Sequence, residues 1–144
     1  MAATEPKMEF EDTREAREYL REWQHKLYLD DWIIKLYLIE PSEDPKNQGT
    51  VEIDSIHRCA IVRIAKYDKT ANDYIIRLCH EQTLVHELMH CKLDLVDNHD
   101  CSDTAEGKCY DGHMHNIIDT MARSLIMAKY GIGPEWFNNV PEAE

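Results

Sequence analysis

The chain has 144 residues, of which 43% are hydrophobic, with only five glycines and five prolines. This composition fits one domain with a modest core and excludes a fibrous or largely disordered protein. The formal net charge of −12 repels phosphate backbones, and no apolar run reaches the roughly 18 residues of a membrane span, so neither nucleic acid nor membrane partners are expected.

The cysteines and the N-terminus bear on location. Five cysteines are an odd number without a regular framework, which is typical of reduced thiols. The first ten residues lack the basic-then-apolar order of a signal peptide. A cytoplasmic location is therefore predicted. Cys101 and Cys109 share an acidic loop, but no CxxC spacing favours a second zinc site there.

The first predicted element is a helix that begins at Asp12 or Thr13, with Glu15 completing a capping box. Its apolar residues recur at helical spacing, which predicts core packing: Ala16, Tyr19, Leu20, Trp23 and Leu27. Residues 1–11 are predicted to be a flexible N-terminus, 12–137 a single domain and 138–144 a flexible C-terminus.

Three strands are predicted next, at 32–40, 50–56 and 59–67, because these segments are rich in β-branched and aromatic residues. Pro41 ends the first strand, and the short junction between the other two predicts antiparallel neighbours.

Two further helices complete the chain. One runs from a cap at Asp73 to near residue 95; after a loop at 96–112, another runs over 113–130 and is closed by Gly131. The order predicts an α+β domain in which helices cover one face of a small, mostly antiparallel sheet.

Residues 86–90 read His-Glu-Leu-Met-His inside the middle helix. His86 and His90 are one turn apart, close enough for both imidazoles to reach one Zn²⁺. Glu87 lies about 100° around the helix, where it can border the metal and take a proton from water. In a random chain of this length and composition, the expected number of such patterns is only about 0.05.

The surroundings of the motif support a cleft. Apolar residues cover one half of the helix, which predicts that this half packs into the core while the histidine pair lies at its margin: Leu84, Val85, Leu88, Met89 and Leu93. His80 lies six residues before His86, points away from the metal on a helix, and is predicted to be structural.

A catalytic zinc site needs a third protein ligand, and His99, His113 and His115 are candidates. His115 borders the apolar face of the last helix, whereas His113 lies about 160° away if the helix includes it. His115 is therefore favoured, with His113 next. Asp119, one turn on, is either a hydrogen-bond acceptor for a ligand imidazole or a solvated helix charge.

These residues resemble the zincin metallopeptidases. Residues 83–93 look like the active-site helix of small HExxH proteins from phage and prophage genomes, and 115–123 resembles a gluzincin-like second helix. That helix usually carries a Glu ligand followed four residues later by Asp, whereas this chain has His115 and Asp119. Residues 111–113 faintly resemble the Gly-His entry of SprT-like proteases, and Leu93 and Val96 exclude the metzincin continuation.

The resemblance implies a zincin fold whose edge strand lines the cleft, and on that model 59–67 could pair with an extended peptide. The predicted function is zinc-dependent peptide hydrolysis, with Zn²⁺ held by His86, His90 and His115 and with Glu87 as the base. The alternative is a non-catalytic, zinc-stabilised interaction domain, in which a fourth protein ligand such as Cys109 or His113 closes the site.

Overall fold

The computed structural model describes residues 4–41, 48–67, 77–94 and 105–138, without the side chains of 105–111. Within these residues, three α-helices and three strands occur in the order α1 (Thr13–Lys26), β1 (Ile33–Ile39), β2 (Gly49–Asp54), β3 (Cys59–Ala65), α2 (His80–Lys92) and α3 (Ala105–Tyr130), and a 3₁₀ turn (Pro134–Phe137) follows. The predicted α+β class and the three helices are confirmed. None of the described helices is both apolar and long enough for a membrane span.

Helix α1 begins as its sequence predicts. The Asp12 side chain caps it by accepting a hydrogen bond from the Glu15 backbone N–H at 2.8 Å. Ala16, Leu20 and Trp23 are buried, so the apolar stripe packs into the core.

The sheet is evenly mixed and not mostly antiparallel, which corrects the prediction. Its strand order is β1-β3-β2, with β1 parallel and β2 antiparallel to β3. A short turn at 55–58 makes β2 and β3 the predicted antiparallel pair. Strand β1 then lies on the far side of β3, where the chain direction makes it parallel.

Helix α2 begins at His80 with Cys79 as its N-cap, so the predicted helical run through Leu78 is wrong. The predicted cap Asp73 lies outside the described residues. Backbone carbonyls of the N-terminal segment accept hydrogen bonds from the first N–H groups of α2. The His80 N–H donates to the Met8 carbonyl at 2.9 Å, and the Glu81 N–H donates to the Lys7 carbonyl at 3.1 Å.

The packed chain therefore begins before Asp12, although residues 1–11 were expected to be flexible. Phe10 is only 2% exposed, and it belongs to the same hydrophobic cluster as the apolar residues of α1 and α2.

More of the α2 surface is buried than the apolar half that was predicted to pack into the core. Besides the apolar residues, polar side chains at positions facing other directions are buried, and these are His80, Glu81, Thr83, Glu87 and His90. The reason is that α2 contacts α1, β2, β3 and α3 and so lies at the centre of the fold.

Helix α3 begins at Ala105, eight residues before the predicted start at His113. Its end is as predicted: Gly131 adopts φ +64° and donates its N–H to the Met127 carbonyl at 2.8 Å. Residues four apart form its buried face (Met114, Ile118, Ala122 and Ile126). Ile117 and Met121 are apolar residues of the same helix, but they remain 49% and 39% exposed.

Candidate metal centre

Three imidazoles meet where α2 and α3 cross. One potential ligand atom from each of His86, His90 and His115 lies within 4.8 Å of the others. The ring centroids of His86 and His90 are 5.1 Å apart, those of His90 and His115 are 5.1 Å apart, and those of His86 and His115 are 6.1 Å apart.

This arrangement fits a tetrahedral metal ion. Three imidazoles bound to one zinc through bonds of about 2.0–2.1 Å place their ring centroids about 5 Å apart. Two of the three observed separations match that value, and the third needs only a small side-chain rotation. The residues present can therefore hold zinc without a change of backbone.

The length of α3 decides between His113 and His115 as the third ligand. Because the helix already includes His113, that side chain points away from the buried face; it is exposed and lies outside the cluster. The structure thus brings together the favoured set with His115. His99, the third candidate, and Cys101 lie outside the described residues, as does the Cys109 side chain.

One side of the cluster is open to solvent. His90 is 9% exposed, the His86 side chain is 20% exposed, and His115 is exposed. Among the described residues, the group of potential ligands contains these three histidines and no fourth member. A metal ion held by these three histidines alone would keep one tetrahedral position for water or substrate, as catalytic zinc sites do.

Glu87 is buried beside this cluster, with 6% exposure. Burial raises its pKa to about 7, and the neighbouring His86 partly opposes the shift. A carboxylate with this pKa is suited to gain and lose a proton near neutrality.

Gly49, the first residue of β2, fits closely against Glu87. A Cβ added to Gly49 would lie 2.6 Å from Thr83 Cγ2 and 3.2 Å from Glu87 Oε1. Glycine is therefore needed for the close approach of β2 to α2. No local pattern in the sequence marks Gly49, because its contact with Glu87 joins residues 38 positions apart.

Asp119 contacts the cluster from α3. Its Oδ1 lies 3.5 Å from His86 Nδ1 and accepts a hydrogen bond from Gln82 Nε2 at 2.8 Å, while Arg123 lies 3.0 Å from Oδ2. The contact with His86 is the largest cause of a lowered Asp119 pKa. Asp119 thus contacts an imidazole of the cluster, and its role as a hydrogen-bond acceptor for a metal ligand stays a prediction.

A cavity of about 290 Å³ opens beside Glu87. It lies between the start of β2 and the first turns of α2, and polar groups dominate its lining: Gln48, Gly49, Gln82, Thr83, His86, Glu87 and Asp119. The strand at the cavity is therefore β2. The expectation that 59–67 could pair with a peptide is wrong, because β3 is the central strand and is hydrogen-bonded on both sides.

Comparison with known proteins adds no relative. No protein-family model, no curated protein and no solved structure matches the chain.

Proposed function

We propose that the protein is a zinc-dependent metallopeptidase. The observation that carries the proposal is the convergence of His86, His90 and His115 beside a buried glutamate. When bound, Zn²⁺ supplies a Lewis acid that polarises a peptide carbonyl and lowers the pKa of water.

Glu87 is the general base of this proposal. Its burial and its pKa of about 7 suit a carboxylate that takes the proton of the attacking water and passes it to the leaving amine. Within the described residues, no group donates a hydrogen bond to this carboxylate, so its oxygens are available for water.

The substrate would bind along β2. In the described sheet this strand pairs with β3 alone, so its other side is an edge that reaches the cavity at Gly49. An extended peptide can add to such an edge through main-chain hydrogen bonds. We therefore propose a peptide or protein substrate, with no nucleic-acid partner.

The decisive test is proteomic cleavage profiling of the native protein against Glu87→Gln. Loss of a general base is expected to lower the rate about 10²–10⁴-fold, while zinc content stays unchanged because the three histidines remain. Glu18→Gln, which removes an exposed carboxylate from α1, is the matched control and is expected to retain activity. Normal hydrolysis by Glu87→Gln would remove Glu87 from its assigned role.

A zinc-stabilised, non-catalytic domain would need a fourth protein ligand. His113 does not supply it in this structure, since it is exposed and outside the cluster. X-ray absorption of the zinc-loaded protein measures the coordination directly: three imidazoles plus one light oxygen ligand support the peptidase, and a sulfur ligand supports the structural alternative.

We also propose a cytoplasmic location. Cys59, Cys79 and Cys91 are free thiols, and burial raises the pKa of Cys79 and of Cys91 to about 12. Thiols of this kind are protonated and unreactive near neutrality, which suits a reducing compartment.

A further inference from the structure

Two rows of polar side chains face each other between α2 and α3. Each row consists of three residues spaced four apart, so its members lie one turn apart on one side of the helix. The α2 row is Gln82, His86 and His90, and the α3 row is His115, Asp119 and Arg123.

The rows run in opposite directions. His90 is beside His115, with ring centroids 5.1 Å apart. Further along, Asp119 contacts both His86 at 3.5 Å and Gln82 at 2.8 Å. The three histidines thus occupy one end of the paired rows, while Gln82 and Arg123 occupy the other end and lie outside the histidine cluster.

Asp119 joins the two ends, and both of its oxygens are engaged. Gln82 Nε2 donates to Oδ1 from α2, while the Arg123 guanidinium lies 3.0 Å from Oδ2 on α3. A carboxylate held by two helices cannot rotate freely about its own side-chain bonds. Its Oδ1 is consequently kept on the side of His86 Nδ1.

Arg123 is itself held by the C-terminal 3₁₀ turn. Its guanidinium carbon lies 5.7 Å from the ring centroid of Phe137, which is 3% exposed. Arg123 Nε is buried and has no hydrogen-bond partner among the described residues, a situation that carries an energetic cost. The contact with Asp119 offsets this cost and explains the position of the guanidinium.

We propose that Gln82 and Arg123 are positioning residues of the metal centre, which hold both oxygens of Asp119 so that this carboxylate fixes the imidazole of His86. Contact of His86 Nδ1 with the Asp119 carboxylate favours the tautomer that carries its proton on Nδ1, which leaves Nε2 unprotonated and able to bind a metal. The inference rests on the proposed zinc site and adds to it two residues that do not touch the metal.

The test is zinc affinity, measured by competition with a chromophoric chelator for Arg123→Met, Arg123→Lys and Gln82→Met. Removal of a direct partner of a metal ligand costs 10–100-fold in affinity; for these more remote residues we expect a loss of about tenfold for Arg123→Met and about threefold for Gln82→Met. Arg123→Lys is expected to recover part of the loss, because it keeps a charge near Asp119. The absorption spectrum of the Co²⁺-loaded Arg123→Met protein should also change, since the spectrum reports ligand orientation.

Arg63→Met is a matched control. Arg63 is 35% exposed and pairs with Glu52 at 3.1 Å on the sheet, whereas Arg123 is 33% exposed and pairs with Asp119 at 3.0 Å. The control should bind zinc as the native protein does. Circular dichroism of the metal-free variants verifies folding. If Arg123→Met does not fold, the zinc affinities of Arg123→Lys and Gln82→Met test the inference.

If the folded variants bind zinc with native affinity and give a native Co²⁺ spectrum, this inference is overturned while the proposed function is not. An equal loss in Arg63→Met would also overturn it, because the effect would then be general. A native protein that takes up no zinc would overturn the proposed function together with this inference.

Discussion

Glu81 and Glu87 are both buried glutamates on α2, six residues apart, yet their surroundings are opposite. Glu81 is completely buried and accepts four hydrogen bonds, two at each oxygen. The donors come from the N-terminal segment, α1 and α3: the Lys7 backbone N–H, Trp23 Nε1, Lys129 Nζ and the Tyr130 hydroxyl.

Glu87 receives none of this support from the described residues and instead borders a cavity. An unsupported buried carboxylate is energetically costly, and its raised pKa expresses that cost. The first turn of α2, at Glu81, thus holds the fold together, whereas Glu87, less than two turns further along, keeps acceptor oxygens available. A fold accepts such a cost at a site of chemistry.

The largest stability effect is expected for Glu81→Gln. An amide has one acceptor oxygen, so either orientation turns an NH₂ group toward two donors. We expect a loss of about 3–5 kcal/mol in the free energy of unfolding, as for other broken buried pairs. Glu87→Gln should change it by less than about 1 kcal/mol, because no donor loses its partner.

Urea unfolding of the two variants side by side measures this difference. Equal losses in both would show that the two glutamates do not differ in their structural support.

An acid-dependent loss of stability is expected from His80, which lies next to Glu81. His80 Nδ1 accepts the Phe10 N–H and Nε2 donates to the Ala65 carbonyl, each at 2.9 Å, so the ring is neutral in the fold. Burial lowers its pKa from 6.5 to about 4. The unfolded chain therefore binds this proton near pH 6.5 and the folded chain near pH 4, and the contribution of His80 to stability falls as the pH falls between these values, by about 3 kcal/mol in all.

Unfolding free energies between pH 7 and pH 4, in the presence of a chelator, give the slope. In His80→Gln the slope contributed by this residue should be absent, even if the variant is less stable at every pH. An unchanged slope would assign the acid sensitivity to another group.

A smaller effect is expected for Gly49→Ala, next to Glu87. The new methyl would lie 2.6 Å from Thr83 Cγ2, and rotation of Thr83 would break its hydrogen bond to the Cys79 carbonyl. We expect a loss of about 1–3 kcal/mol, which is typical of overpacking.

Thr83→Ser removes that methyl and keeps the hydroxyl, so Gly49→Ala combined with Thr83→Ser should recover most of the loss. Thermal unfolding of the four proteins of this double-mutant cycle measures the coupling. Additive losses would show that the close approach of β2 to α2 does not limit this position.

Local patterns were sufficient for much of the fold. The helices, the strands and the arrangement of His86, His90 and Glu87 follow from periodicities within one element. The preference for His115 over His113 also came from one helix, because the apolar face of α3 has a single direction.

Features that depend on distant contacts were missed. The central position of β3 depends on which side β1 adds to, which strand patterns do not encode. The start of α2 depends on backbone acceptors at Lys7 and Met8, more than 70 positions away. Gln82 and Arg123 could have been suspected from their spacing of four to His86 and Asp119, but only knowledge of the facing helix gives that spacing a meaning.

The bond between the Lys7 N–H and Glu81 joins residues 74 positions apart. During translation, at about 5–20 residues per second, the N-terminal segment leaves the ribosome several seconds before its partners on α2. Helix α2 can thus pair its first N–H groups with Lys7 and Met8 only after all three strands have left the ribosome. In a nascent chain halted before Glu81, the N-terminal segment would lack these partners, and Phe10 would be exposed to chaperones.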